Sequence, residues 1–522
     1  MAPLTPFPTK GVQGFTPDGG PGGKALWRDR AAKRTDGLRP GCALAAVAAL
    51  AACSQSPADT PQAIPDVAAW RADASKSAPV WPSGDWWTGF HSPELDALIA
   101  RARTANFDIL AAAARIRQAD AALVSAGAPL LPAVTATGQD QWTRSSVGQS
   151  SPALGSTGHG VANRYYEYRT YSLTPGVSYE IDLWGRLRST RDAALGTALA
   201  NRFDQQTVAL TAVTGVATTW FQALALQDRL DVAQRNLHDA EEILRAIEAR
   251  ADAGTASQLD VAQQAALAAG IRATIPDLRS QLQQQINGLG ILTGQPPEAI
   301  TVRPGTLNTL SLPEVAPGLP SDLLARRPDV AFAEASLAAA RANIRAARAA
   351  LFPKLSLTAS GGWQAYTLGT LFGPGSLFAQ AALGATQTLF DNGALQATVD
   401  QSRGRADELL AEYRKAIVQA FTDVENALTA YRFATEQETL QREAVAIAQR
   451  AADIARAQLL AGISDVVTAL QAQSTLFSDL DTLAQVRLAR FTALVGLYKA
   501  LGGGWSRADT ALPESRLFQG GL

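Results

Sequence analysis

Cys53 carries the one covalent chemistry that this sequence spells out. It ends the run Leu50-Ala51-Ala52-Cys53, behind a basic stretch (Arg28, Arg30, Lys33, Arg34, Arg39) and an apolar run from Cys42 to Ala52. That order is the n-region and h-region of a secretory signal, and the run is too short to span a bilayer. The ending resembles a lipobox, in which the cysteine thiol takes a lipid and becomes the first residue of the mature protein. A chance cysteine behind an ordinary signal is the alternative. Loss of residues 1–52 removes seven Lys/Arg and three Asp/Glu and moves the net charge from −1 to −5. It leaves Cys53 as the only cysteine, so neither a disulfide framework nor a Cys-based metal site is expected.

Other chemistry is hard to place. His91, His159 and His238 are scattered over an arm, a loop and a helix and do not resemble a ligand set. There is no Gly-rich phosphate loop, no His-Glu-x-x-His and no Gly-x-Ser-x-Gly, so no catalytic site, no metal and no cofactor beyond the lipid are expected. A near-neutral charge argues against a nucleic-acid partner. The charged fraction of 18% is below the usual quarter and fits extensive buried or lipid-facing surface.

The elements that position these residues occur twice. Asn106-Phe107-Asp108-Ile109 precedes a small-residue helix ending at Pro132, and Arg327-Pro328-Asp329-Val330 precedes a similar one ending at Pro353, 221 positions on. Gly185 pairs with Gly393, Gly254 with Gly462 and Gln263 with Gln471, each 208 positions on. The register change of 13 falls between Pro132 and Gly185. A repeat this long is a duplicated half-molecule rather than a solenoid unit of roughly 20–50 residues. The chain reads as a leader (1–52), an extended arm (53–92), a first repeat (93–293), a Pro/Gly-rich connector (294–320), a second repeat (321–505) and a tail (506–522).

Each repeat reads as helix, two strands, very long helix, tight turn and returning helix. The first helix starts near Pro93 and runs to about Gly127. Strand patterns cover about 133–145, 165–181, 354–366 and 376–390. Val134, Ala136 and Gly138 alternate there with Thr135, Thr137 and Gln139, and aromatics sit at the margins. That pattern suits outer-membrane strands and equally a soluble half-buried sheet. Four strands cannot close a barrel, because bacterial ones have at least about eight, and open edges are not tolerated in lipid. Membrane-crossing strands therefore require several copies of the chain.

No proline interrupts about Leu187 to Ala253 or Leu395 to Ala461, so each stretch predicts a helix roughly 100 Å long. Leu226, Leu230, Ala233, Leu237, Ala240, Leu244, Ile247 and Ala251 keep a heptad seam. Gly254-Thr255 and Gly462-Ile463 mark reversals into helices that start near Ser257 and Asp465. Residues 205–227 carry no charge, but five threonines dilute them and the equivalent 413–435 is charged. On the expectation that equivalent segments share an environment, this is not read as a membrane helix.

Ser178-Tyr179-Glu180-Ile181-Asp182-Leu183-Trp184-Gly185-Arg186, Asp322-Leu323-Leu324-Ala325-Arg326-Arg327-Pro328-Asp329-Val330 and Gln387-Thr388-Leu389-Phe390-Asp391-Asn392-Gly393 resemble the signature motifs of TolC-type outer-membrane factors. With the lipobox, the chain resembles the NodT/OprM-like lipoprotein branch that serves tripartite RND-type efflux systems. The resemblance covers about 60–505. It implies a mainly α protein with transmembrane β: a homotrimer whose pooled twelve strands form one barrel, continued by a periplasmic α-barrel. It also implies an outer-membrane location, a lipid partner, a periplasmic adaptor at the hairpin tips (Gly254, Thr255, Gly462, Ile463) and an inner-membrane transporter. Ser54 after the cysteine favours outer-membrane sorting. Trp184, Gly185, Arg327, Pro328 and Asp329 are read as fold determinants, with Pro328 and Asp329 suited to a helix start and Trp184 to a membrane interface.

By the same alignment the periplasmic gate falls on Val467, Gln471 and Ser474, with Asp465 one turn nearer the tip. Here the chain departs from the family. The position of the family's main constriction carboxylate holds Gln471 and a neighbouring basic position holds Ser474, so a neutral ring, weaker cation selectivity and less pH-sensitive gating are expected. The rival reading is a lipid-anchored periplasmic scaffold or adaptor, which would need no lipid-facing strands.

Overall fold

The computed structural model describes residue 70 and residues 81–146, 165–314 and 320–507. These belong to one compact unit, Pro65–Leu522. In chain order its helices are α1 (Pro93–Ala105), α2 (Phe107–Gly127), α3 (Arg186–Asp252), α4 (Gln258–Thr293), α5 (Pro320–Arg326), α6 (Pro328–Ala349), α7 (Ala394–Leu460) and α8 (Val466–Ala500). The strands are β1 (Ala133–Ser146), β2 (Tyr165–Ile181), β3 (Lys354–Ala365) and β4 (Leu377–Thr386).

The two proline-free stretches are single helices of 67 residues each. Each starts on a left-handed glycine, Gly185 (φ 76°) or Gly393 (φ 83°). An aspartate just upstream takes orphan N–H groups of the first turn: Asp182 accepts from Leu187 and Arg188, and Asp391 from Gly393 and Leu395. The expected first helix is two helices. Asn106 breaks it in extended backbone (ψ 127°), and its side-chain oxygen caps α2 by accepting from Asp108 and Ile109. Arg327 makes the same break before α6 (ψ 120°).

Each half is thereby closed in the same way. Asn106 Nδ2 donates to Leu292 O at the end of α4 (2.9 Å), and Arg327 Nη1 donates to Ala500 O at the end of α8 (3.2 Å). Leu292 and Ala500 are themselves 208 positions apart. Gly294 (φ 67°) and Gly502 (φ 88°) follow, and a Cβ on either would stand 2.2 Å from Ala105 O or 2.0 Å from Arg326 O. The returning helix and the helix before the strands thus meet end to end, which makes a second rod beside each long helix.

Packing orders the rods into one layer. Near the tips the order is α4–α3–α8–α7, and near the sheet it is α2–α3–α6–α7. The sheet is antiparallel in the order β1–β2–β3–β4. One open edge therefore carries β1, α2 and α4, and the other carries β4 and α7. The arm is not extended throughout: Trp86–Phe90 forms a 3-10 turn whose Trp86, Trp87 and Phe90 are buried on α3 and α8. Phe90, Phe221 and Phe491 pack ring to ring at 5.0–5.9 Å. The uncharged 205–227 stretch of α3 supplies much of this core. Helix α3 is long and apolar enough to cross a membrane, yet 56% of its most apolar window is buried inside the protomer. Strand β4 stops at Thr386, short of the expected 390, because its ladder partner β3 begins at Lys354, opposite Thr386.

Candidate functional site

The sheet has two chemically distinct faces. Directly opposed residues of an antiparallel pair share a face, so the registers sort all four strands. One face carries Val134, Val177, Leu357 and Leu383, with Ala136, Ala359 and Ala381 among them. The other carries Thr135, Thr137, Ser178, Thr174, Thr358 and Gln380. Among the described residues, helices cover neither. On the apolar face β2 runs from Ile181 to Tyr171, roughly 33 Å of strand, which a tilt of about 40° reduces to about 25 Å, the height of an outer-membrane apolar band. Above Tyr171 the same face turns polar: Arg169 binds Asp140, and Arg144 lies 3.2 Å from Glu167. Arg169 also sits over the Tyr171 ring (5.1 Å), and Arg144 over Tyr165 (4.5 Å). One face is built for hydrocarbon and the other for water.

At the sheet's inner end Trp184 donates from Nε1 to Pro353 O (2.9 Å) and stacks on Phe352 (4.7 Å), tying the first half to the start of β3. It stays about half exposed (46%), like the neighbouring Leu183. Arg186 forks onto Glu180. Deeper in the layer, buried Arg327 binds Asp329 (2.6 Å), Asp423 (2.9 Å) and the Ala500 carbonyl. Burial alone would lower the guanidinium pKa, and the two carboxylates reverse that and raise it. Pro328 occupies the first turn of α6.

Both hairpin tips close as Schellman turns. Thr255 N donates to Arg250 O (2.8 Å) around Gly254 (φ 75°), and Ile463 N donates to Gln458 O (2.9 Å) around Gly462 (φ 72°). Ile463 is among the most exposed apolar side chains. The returning helices are each capped by a hydroxyl–carboxylate pair, in opposite order. Ser257 caps α4 with Asp260 three residues on, whereas Asp465 caps α8 with Thr468 three residues on. The Asp465 carboxyl is held below the usual carboxylate range by the Thr468 hydroxyl and then by the Thr468 N–H. Each returning helix therefore has one carboxylate in its cap. Val467, Gln471 and Ser474 are all exposed, spaced four and three residues apart on one face of α8.

Several ties near the tips left no signal in the sequence, because long-range partners cannot be read from helical spacing alone. Arg250 Nη1 donates to Leu459 O (2.8 Å), and Arg456 binds Glu242 (2.7 Å), so α3 and α7 are joined across the hairpins. Ile243, Ile247, Leu459 and Val466 fill the space beside them. Higher up, Glu438 is buried among Arg442, Arg487 and Arg490. Burial alone would raise its pKa, and the three guanidinium groups outweigh that and lower it. Among the described residues no group of three or more His, Asp, Glu or Cys is placed to hold a metal ion. Cys53 lies outside the described residues.

A two-faced sheet with open edges, continued by rods about 100 Å long, defines a channel-forming outer-membrane protein. The sequence profile described as "Outer membrane efflux protein" matches residues 98–295 and 319–503, and the chain belongs to that family. It is 39% identical over 460 residues to the pyoverdine export outer membrane protein OpmQ of Pseudomonas aeruginosa, covering 87% of this chain and 95% of that one. It is 36% identical over 424 residues to the probable efflux pump outer membrane protein TtgC of Pseudomonas putida, covering 80% and 85%. The outer-membrane channel OprN superposes with a TM-score of 0.78 at 27% identity, covering 87% of this chain and 100% of that one. The open state of the Neisseria gonorrhoeae MtrE outer membrane channel gives 0.76 at 27%, covering 87% and 99%. The chain is an outer-membrane efflux channel that extends into the periplasm, and it is a conduit rather than an enzyme.

Proposed function

We propose that three copies of this chain close head to tail into one exit duct, which a periplasmic adaptor and an inner-membrane RND-type transporter engage at the hairpin tips. The observation that supports this is the pair of unlike open edges. Lipid does not tolerate unpaired strand edges, and an edge that differs from its opposite closes by rotation into a ring. Twelve pooled strands then form the barrel. The duplication suggests how the seam is made, because the contact between halves inside a protomer would repeat between copies. Inside, a Cβ on Gly196 of α3 would lie 2.9 Å from Ala339 Cβ of α6. Gly404 of α7, the counterpart of Gly196, has nothing within 4 Å. By the same offsets its partner is Gln118 on α2 of the next copy. Paired Gly404→Cys and Gln118→Cys substitutions are expected to give a reducible trimer band. Monomer only, from a detergent-stable assembly, would exclude this seam.

The lipid on Cys53 belongs to the same reading, as an anchor beside the barrel. So does the gate at Val467, Gln471 and Ser474, supported by their exposure on one face next to a tip. A ring of three Gln471 amides lacks the cation attraction of carboxylates, and Asp465, the nearest acid, is engaged by its helix. Gln471→Asp should therefore raise cation selectivity in planar bilayers. Unchanged selectivity would remove Gln471 from the gate. The transported solutes of this chain include small molecules expelled from the periplasm, and in this reading their choice rests with the adaptor and transporter.

A further inference from the structure

The water-facing side of the sheet is almost free of charge. Thr137, Gln139, Thr174, Thr358, Ser360 and Gln380 represent it, all hydroxyls or amides. Some bond one another, as Gln380 Nε2 does with Ser360 Oγ (2.9 Å). Among the described residues, acidic and basic side chains on this face occur only at its inner, periplasmic end, at Glu180 and Lys354. Glu180 is neutralised by Arg186, which reaches both of its oxygens (2.8 and 2.7 Å). Asp182, one step beyond the sheet, accepts from the backbone of Leu187 and Arg188 and pairs with the Arg188 side chain. Lys354 is exposed, and among the described residues no ion pair engages it. It stands opposite Thr386 in a strand flanked on both sides by this chain's own β2 and β4. A second copy that adds at a sheet edge is therefore kept two strands away from it on the β1 side and one strand away on the β4 side.

We propose that the exit barrel passes neutral and anionic polar solutes, and that Lys354 sets its charge preference at the periplasmic mouth. This rests on the ring-closed duct described above. Hydroxyl and amide groups both donate and accept, so the wall hydrogen-bonds solutes of either sign. Lys354 places a ring of ammonium groups at the mouth, while the Asp391 carboxylate at the start of α7 is occupied by the N–H groups of Gly393 and Leu395. That ring attracts anions over a Debye length, about 8 Å at physiological ionic strength. Solutes bearing carboxylate, phosphate or many hydroxyl groups fit this passage, and bare cations do not gain from it.

The full-length protein in planar bilayers across a KCl gradient tests the assignment. Wild type is expected to reverse at, or on the chloride side of, zero. Lys354→Glu shifts the reversal potential towards potassium, with Lys354→Gln between the two. A charged methanethiosulfonate reagent reduces current through Thr358→Cys and leaves Leu357→Cys unaffected, with wild type as the control for Cys53. An unchanged reversal potential in Lys354→Glu overturns the proposal, as does block at Leu357→Cys in place of Thr358→Cys. Absence of channels from wild type that assembles normally would instead overturn the duct on which the proposal rests.

Discussion

The two long helices α3 and α7 have the same length, the same left-handed glycine at the start and the same turn at the tip, yet they live in different surroundings. Helix α3 lies between α4 and α8 near the tips and between α2 and α6 near the sheet, under the aromatic core. Among the described residues, the long helices pack on α7 from one side only. The residues record that difference. Phe433, Leu440, Ile447 and Ile454, each seven positions apart, are all more than half exposed. Their counterparts on α3 are Ala225, Val232, Asp239 and Ala246. Where the closing contacts lie inside each half, the copies agree to the residue: Asn106 with Leu292 O, and Arg327 with Ala500 O. Duplication preserves what each half must do for itself. In the proposed ring it diverges where one half meets its own chain and the other meets a second copy.

The largest effect is expected where that divergence is sharpest. At one position α3 carries Asp239, within 3.9 Å of Arg456, and α7 carries Ile447, exposed at the open edge. Ile447→Asp would place an unpaired charge in the seam, a cost of several kcal/mol at each of three seams. Light scattering in detergent should show the assembly fall to single chains, more completely with Leu440→Asp added. The reciprocal Asp239→Ile should leave the assembly whole. If both variants assemble alike, the α7 stripe is no seam and the two helices differ for another reason.

Much of this architecture is legible in the residues themselves. Absent prolines bound α3 and α7, Gly254 and Gly462 mark the tips, and alternation of Thr135 and Thr137 with Val134 and Ala136 marks the faces. The break at Asn106 was not legible, because an asparagine inside a helix and one at its cap look alike until the side chain finds its partners. The second copy announces the same break with Pro328. The 205–227 stretch teaches a different lesson. It is a core segment rather than a membrane helix, but not because its counterpart shares its environment: 413–435 lies on the edge helix. Composition follows surroundings, and the surroundings come from topology that a repeat alone does not reveal. The capping pairs were similarly opaque. Asp260 and Thr468 look like a charge gained and lost, while the structure shows one carboxylate in each cap, moved by three positions.

The closing contacts allow a test of equivalence. Gly294→Ala and Gly502→Ala each force a Cβ into a backbone carbonyl and into left-handed backbone, so each should cost roughly 2–4 kcal/mol. Equal losses in thermal unfolding are expected, because the two closures are the same device. Gly254→Ala, with nothing within 4 Å of its Cβ, should cost only about 1 kcal/mol. If Gly502→Ala proves as mild as Gly254→Ala, the second half closes by some other contact.

The smallest effect lies at the tips and separates them by pH. Ser257→Ala removes a hydroxyl cap and should loosen the start of α4 by about 1 kcal/mol, read as faster amide exchange there. Asp465→Ala should likewise speed amide exchange at the start of α8. The caps differ in titration. The Asp465 carboxyl is held below its ordinary value, so its stabilisation is complete above the unfolded aspartate pKa of about 3.9. It is lost as the pH falls through the lower folded value. At α4 the Ser257 hydroxyl, which accepts from Asp260 N (3.1 Å), does not titrate and keeps that bond whatever the charge on the Asp260 carboxyl, whereas α8 has no second capping acceptor beside Asp465. Amide exchange should therefore stay matched at the two tips from neutral pH down to about pH 5 and diverge only below about pH 4, with α8 loosening first. Divergence near neutral pH would mean that another acid, not Asp465, holds the second tip, and the swapped caps would no longer count as equivalent.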